Sequence, residues 1–331
     1  MAKTRHKVLS RSQNSILLEP PLACSWRIPQ AILSSIVVND SIETVVKTKK
    51  LQVKILRRRN LLSRFEKVEK RIGANIDHLF LVVANFPPFN LMNYANMALK
   101  ARSQNIPFTV LINKSDRSDT TESFQRKVEA LIPYTFRDDD PDGKLQKGIQ
   151  VSIYDEHLMS NLKSEIKKIA NTCKGSEMSI FFIGQSGVGK SSIINALIPS
   201  AGQKTGLVST RYKKGKHTTR HSRSFEFKLV EHYKQKIYLL DTPGIDSFGA
   251  EDLKKQEILK YFSEWDEISQ KNFFCRFNNC QHMQEPNCGI RKFLESLEQD
   301  GDNFNHLTSR LKLWKTLMRD LNKKTLKNNQ S

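Results

Sequence analysis

The run Gly184-Gln185-Ser186-Gly187-Val188-Gly189-Lys190-Ser191, continued by Ser192, has the spacing G-x-x-x-x-G-K-[ST], a pattern suited to holding phosphate. Glycines let the backbone curl with its N–H groups turned inward, and the N-terminus of a following helix adds positive potential. In that setting Lys190 reaches the terminal phosphates of a nucleotide and the Ser191 hydroxyl is a ligand for Mg2+. Asp241-Thr242-Pro243-Gly244 supplies a second part: Asp241 holds Mg2+ through water, and Gly244 offers its N–H to the γ-phosphate. Asn113-Lys114-Ser115-Asp116 addresses the base. A carboxylate there accepts from both N1–H and the exocyclic amine of guanine, a donor pair that adenine lacks. Together the three motifs predict a GTP/GDP site with Mg2+. An ATP-using kinase or ATPase is disfavoured, because Asp116 would be left unpaired against adenine.

One familiar catalytic part is missing. Ras-type enzymes orient the attacking water with a Gln directly after D-x-x-G, and Ile245 stands there in this chain. An apolar side chain cannot polarise water, so intrinsic turnover should be slow and the catalytic group must come from elsewhere. A second kind of chemistry lies downstream. Cys275, Cys280, His282 and Cys288 offer three thiolates and one imidazole within fourteen positions. That is a complete tetrahedral set for one structural Zn2+, with no open position for water. The other two cysteines, Cys24 and Cys173, read as ordinary thiols in a reducing compartment.

These residues need elements to position them. Apolar runs over 78–84 and 108–112, with a helix-like stretch over 91–102 between them, read as buried parallel strands joined by a crossover. Further strands are expected at 151–153, 179–183, 224–230 and 236–240, with helices over 156–171 and 192–197. The sequence before residue 72 has short β-branched runs at 32–38, 42–46 and 51–56, closed by Arg57-Arg58-Arg59, which suggests a small β-domain. An exposed turn is expected over 138–143. The end of the chain predicts a helix over 304–321 with Leu307, Leu311, Trp314, Met318 and Leu321 packed and Arg310, Lys312, Lys315 and Arg319 solvated.

Motif order adds a constraint. The base motif comes about seventy residues before the phosphate loop, the reverse of the Ras-like order, and only about thirty residues separate Gly244 from Cys275. The missing strands do not fit in that interval, so the sheet must be completed from the N-terminal side and the nucleotide domain is circularly permuted.

With Ala74-Asn75-Ile76-Asp77, Lys216-His217-Thr218-Thr219 and the Cys/His cluster added to these motifs, the chain resembles the RsgA/YjeQ family of small-subunit-dependent, circularly permuted GTPases over nearly its whole length. The resemblance implies a multidomain α/β protein. Its parts are a small OB-like N-terminal β-barrel that binds RNA (1–72), a permuted P-loop GTPase domain (73–262) and a zinc-binding, α-rich C-terminal domain (263–331). It implies late maturation of the small ribosomal subunit, with hydrolysis stimulated by that particle. Ser152 becomes the base-supporting residue, although Ile153 stands where the family usually has Ala. Thr218 or Thr219 becomes the switch threonine that closes on Mg2+ and the γ-phosphate, with Thr218 preferred. His217 is the candidate replacement for the missing Gln, an incoming ribosomal group being the alternative.

Charge fits such a partner. The 331 residues carry a formal net charge of +20, and an excess of that size points to a polyanion. Residues 1–72 hold 16 Lys/Arg against 5 Asp/Glu. Between Ala201 and Phe225 there are Lys204, Arg211, Lys213, Lys214, Lys216, Arg220 and Arg223 and no acid, so this loop could bind rRNA only when ordered around GTP. No run approaches the ~18 apolar residues of a membrane span, and no secretory signal is evident at the start. The expectation is a cytoplasmic monomer that binds rRNA and no membrane. A nucleotide-switched rRNA-binding module with negligible turnover is the alternative to an enzyme.

Overall fold

The apolar runs that read as buried strands lie side by side at the centre of one sheet. The computed structural model describes residues 3–11, 15–20, 28, 30–47, 50–65, 68–116, 121–134, 148–198, 222–229, 235–249, 252–299 and 301–328. Cys24, the expected turn at 138–143 and the segment with His217, Thr218 and Thr219 lie outside the described residues. The chain divides into two compact units, Met1–Ser118 with Ile149–Glu251, and Asp119–Gly148 with Asp252–Ser331.

The first unit contains β1 (Thr4–Arg11), β2 (Ile16–Glu19), α1 (Gln30–Leu33), β3 (Ser41–Lys47), β4 (Lys50–Ile55), β5 (Leu61–Phe65), β6 (Glu69–Ala74), β7 (His78–Val83), α2 (Leu91–Ser103) and β8 (Phe108–Asn113). After α3 (Glu122–Glu129), which belongs to the second unit, it continues with β9 (Ile149–Val151), α4 (Glu156–Thr172), β10 (Glu177–Ile183), α5 (Lys190–Leu197), β11 (Arg223–Phe227) and β12 (Lys236–Asp241). Ten strands form one sheet in the order β4-β3-β1-β11-β12-β10-β7-β8-β9, with β2 paired to β1. Strands β12, β10, β7, β8 and β9 are parallel, and β11 lies antiparallel beside β12. All six residues of β7 are buried, as expected for a strand covered on both faces. Phe80, Phe182, Leu111, Ile166, Ile193 and Leu239 share its core. The strand leading to the base motif therefore comes before, and lies one strand away from, the strand leading to the phosphate loop, as the permuted order requires.

The joint before β7 is built by Ala74-Asn75-Ile76-Asp77. Asn75 takes a left-handed φ of 53°, which Asn tolerates better than most residues. Its Nδ2 donates to Asn39 O, while Asn39 Nδ2 donates back to Ala74 O. Asp77 accepts from Ser179 N at 2.8 Å and from Arg59 at 2.7 Å, fixing the entry of β7 against β10.

The N-terminal segment differs from its sequence reading. Strand β1 pairs through Ser10 with Arg223 of β11 and so extends the central sheet, while β5 and β6 form a separate two-stranded hairpin. Residues 32–38 do not make a strand: Gln30–Leu33 is a helical turn, and Val38 keeps only an isolated bridge to Gly73. Leu33 and Ile36, three apart, are both buried, a spacing that serves one helical face as well as it serves a β run.

The second unit adds α6 (Lys255–Leu259), α7 (Glu264–Gln270), α8 (Gly289–Ser296) and α9 (Asp302–Asn328) to α3. The expected apolar stripe of α9 is present, with Leu307, Leu311, Trp314 and Met318 buried. Arg310 is a correction: it is 0% exposed. It stands three residues after Leu307 and four before Trp314, so a 3.6-residue period places it within the stripe. Its Nε donates to Glu264 Oε1 at 2.6 Å, its Nη2 to Tyr261 O and its Nη1 to Ala130 O, and its guanidinium lies over the Tyr261 and Phe262 rings. Removing one member of such a buried pair leaves a stranded charge, at about 3–5 kcal/mol. Lys312 and Arg319 are exposed, as expected. Among the described residues no helix is long and apolar enough to cross a membrane.

Candidate functional site

The C-terminal ends of the parallel strands gather the motifs on one edge of the sheet, where an α/β sheet binds its ligand. Strand β10 runs into Gly184, and α5 begins at Lys190. Gly189, the residue before α5, has φ 101°. A Cβ there would stand 2.2 Å from Asn113 Nδ2, so both the backbone conformation and the close approach require glycine.

The base loop and the phosphate loop are bonded to each other. Asn113 Nδ2 donates to Val188 O at 2.7 Å, and Lys114 Nζ donates to Gly187 O at 3.0 Å and Phe86 O at 2.8 Å. Ser115 Oγ donates to Ile112 O, and Ser115 N to Val151 O, which ties the loop to β8 and to the end of β9. Asp116 is exposed beside them, available to a base. Ser152 follows β9, is 1% exposed and accepts from Tyr154 N.

On the phosphate side, Lys190 Nζ donates to Gly184 O and Gln185 O, both at 3.0 Å. Burial lowers its pKa to about 8, against the opposing influence of Asp241 and Asp246. Ser191 Oγ donates to Asp241 Oδ2 at 2.6 Å. A hydroxyl and a carboxylate facing each other are hard oxygen donors, the set that suits Mg2+. Gly244 packs so tightly on the loop that a Cβ would meet Ser186 Cα at 2.5 Å. Ser192 lies in the first turn of α5.

Several contributors carry no local sequence signal. Tyr94, on α2, accepts from Gln185 N at 3.0 Å and donates to Val82 O at 2.8 Å; burial holds its phenol protonated far above the usual range. Asp246 accepts from Ser186 N at 3.0 Å, and Asn93 Nδ2 donates to Ile245 O. Each bridges positions distant in sequence, so only the fold brings them together. The Ile245 side chain is buried.

In the second unit the ligand atoms of Cys275, Cys280, His282 and Cys288 all lie within 4.8 Å of one another. His282 Nδ1 is 3.6 Å from Cys275 Sγ and 3.4 Å from Cys288 Sγ. A tetrahedral Zn2+ with ordinary Zn–S and Zn–N bonds spaces such atoms by about 3.6 Å, so the four residues fit a zinc ion bound through Nδ1. Glu285 braces the loop. Burial alone would raise its pKa, but hydrogen bonds from Gln281, Met283 and Gln284 N–H prevail and hold it down to about 2. Trp314 Nε1 donates to Gln281 O at 2.7 Å, fastening α9 to the same loop.

A phosphate loop after the central strand, a carboxylate loop after its neighbour and an N-K-x-D loop earlier in the chain define a P-loop GTPase in permuted order. A family model described as RsgA GTPase matches residues 55–251, and the chain belongs to that family. The small ribosomal subunit biogenesis GTPase RsgA of Borreliella burgdorferi (strain ZS7) is 33% identical over 251 residues, 73% of this chain and 71% of that one. The protein of that name from Ruminiclostridium cellulolyticum is 30% identical over 266 residues, 80% of this chain and 77% of its own. Among solved structures, YjeQ from Thermotoga maritima superposes with a TM-score of 0.53 at 23% identity, covering 95% of this chain and 99% of that one. YloQ, a circularly permuted GTPase, gives 0.51 at 20%, covering 95% and 96%. These two support the fold.

Two measurements follow. Because bound phosphates favour charged Lys190, GDP affinity should fall as pH rises above about 8. Calorimetric titration half a unit higher, in buffers of different ionisation enthalpy, should register proton uptake on binding, and none is expected near neutrality. For the cysteine cluster, metal analysis should return a single zinc equivalent per chain, and Cys288→Ser should lower the melting temperature of the second unit while GDP binding persists.

Proposed function

We propose that this GTPase acts on the small ribosomal subunit, assisting its late maturation, and that the particle stimulates its hydrolysis. The relatives' names carry the small-subunit part. The observation that best supports the nucleotide part is the mutual bonding of the N-K-x-D and phosphate loops through Asn113 and Lys114.

In this reading Asp116 accepts from guanine, Asn113, Lys114 and Ser152 shape the base pocket, and residues 184–192 cradle the phosphates through backbone N–H groups and Lys190. Ser191, Thr218 and Asp241 would hold Mg2+, which when bound neutralises charge developing on the phosphates. Gly244 N–H addresses the γ-phosphate. Ile245 is buried, with its N–H on Gly184 O and its carbonyl on Asn93; neither its side chain nor its backbone is disposed to orient water. The catalytic group is therefore His217 or one brought by the particle. The Cys275/Cys280/His282/Cys288 site takes a structural Zn2+ and no part in the reaction.

We extend the reading to the rest of the chain. Residues 1–72 form an irregular OB-like RNA-binding domain, 73–262 the permuted GTPase domain and 263–331 the zinc domain. The N-terminal excess of 16 basic over 5 acidic residues and the acid-free loop before Phe225 face rRNA. The protein works as a cytoplasmic monomer.

The test is the GTP hydrolysis rate of the purified chain alone, with small subunits and with large subunits. The small subunit should raise it well above the isolated rate and the large subunit should not. A small-subunit complex that forms with GTP yet leaves turnover negligible would instead favour a binding switch.

A further inference from the structure

The peptide after the D-x-x-G motif, Ile245 to Gly249, has no helix or strand of its own, yet four of its five carbonyls accept hydrogen bonds from other parts of the first unit. Asn93 Nδ2 donates to Ile245 O at 3.0 Å and Asn96 Nδ2 to Phe248 O at 2.8 Å, both from α2. Arg64 Nη1 donates to Ser247 O at 2.7 Å and Phe65 N to Gly249 O at 3.1 Å, both from β5. Two further bonds fasten the peptide to the phosphate loop: Ile245 N to Gly184 O, and Ser186 N to the Asp246 carboxylate. Phe248 is buried beneath them.

In a Ras-type site this peptide carries the side chain that orients water. Here it carries Ile245, so what it contributes to the reaction is backbone position: where Gly244 N–H points and how closely the chain packs on Ser186. That position is set by donors upstream of the phosphate loop in sequence. Arg64 is the notable one. It sits on the β5–β6 hairpin, whose outer residues Val68, Glu69, Lys70 and Arg71 are exposed. Asn93 is 5% exposed, and its Oδ1 has no partner among the described residues, so an unused acceptor lies beside the same peptide. A buried acceptor without a partner is costly, so Asn93 is kept in this place by what its Nδ2 holds.

We propose that Arg64 and Asn93 are positioning residues for hydrolysis. They hold Ile245–Gly249 against the phosphate loop, so that the N-terminal hairpin as well as the nucleotide sets the reaction rate. This rests on the GTPase reading and not on the ribosomal partner.

The test uses the full chain and the variants Arg64→Ala, Arg64→Lys and Asn93→Asp. The readouts are deuterium uptake over 245–249 with a nonhydrolysable GTP analogue, single-turnover hydrolysis of GTP, GDP affinity and melting temperature. Arg64→Ala should raise uptake in that peptide and slow hydrolysis by roughly tenfold, the effect of losing one charge-assisted hydrogen bond. GDP affinity should stay near wild type, because the base loop and phosphate loop keep their own bonds. Arg64→Lys, which retains a charged donor, should recover part of the rate. Asn93→Asp, which turns an acceptor toward Ile245 O, should repeat the loss. Wild-type uptake and rate in both Arg64→Ala and Asn93→Asp would overturn the proposal. So would a joint fall of rate, GDP affinity and melting temperature, which marks a merely structural role. Failure of small subunits to stimulate the wild type would count against the ribosomal reading and leave the uptake result standing.

Discussion

The hydrogen bonds from Asn113 and Lys114 to the carbonyls of Val188 and Gly187 couple two loops that the chain delivers separately. One loop leaves β8 and the other leaves β10, with β7 between them. In the proposed reading, base and phosphates of one nucleotide must be met at a fixed separation, so these bonds, together with the strand spacing, would set the size of the site. Gly189 is confined by the same contact: any side chain there would displace Asn113. Permuting the chain does not disturb this coupling, because it depends on which strands are adjacent and not on which comes first.

The centre of the sheet was legible because strands buried on both faces become uninterrupted apolar runs, as in 78–83 and 178–183. Motif spacing picked out the loops at 113–116, 184–191 and 241–244 that the sheet brings to one edge, and their order indicated the permutation. Sequence reasoning fell short where burial is made acceptable by a distant partner. Strand β1 lies outside the β-runs legible before residue 72, because its inward His6 is polar and is buried only by pairing with Thr44 Oγ1 and Pro20 O. Arg310 reads as a solvated charge until Glu264 and three aromatic or carbonyl partners enclose it. Asn93, Tyr94 and Arg64 lie far in sequence from the peptides they hold, so no local pattern marks them.

The two units use charge differently. In the second, Arg310 with Glu264 and the cysteine cluster with Glu285 sit beside an apolar core that includes Tyr261, Phe262, Trp265, Leu307 and Trp314. In the first, the ionisable groups near the nucleotide loops, Lys190, Asp241 and Asp246, bond to loop backbone or to Ser191. That geometry leaves the loops ordered while Lys190 can exchange its carbonyl partners for phosphate oxygens and Ser191 and Asp241 can exchange each other for Mg2+.

The central claim is that this edge of the sheet reads guanine through Asp116, and a swap of base specificity tests it most directly. Equilibrium binding of GDP and of the xanthine diphosphate should be compared for the wild type and Asp116→Asn. The carboxylate accepts from the two guanine donors, whereas an amide can donate to the xanthine oxygen that replaces the amine. The account predicts that the wild type prefers GDP and that Asp116→Asn prefers the xanthine nucleotide. Unchanged GDP preference in Asp116→Asn would contradict it.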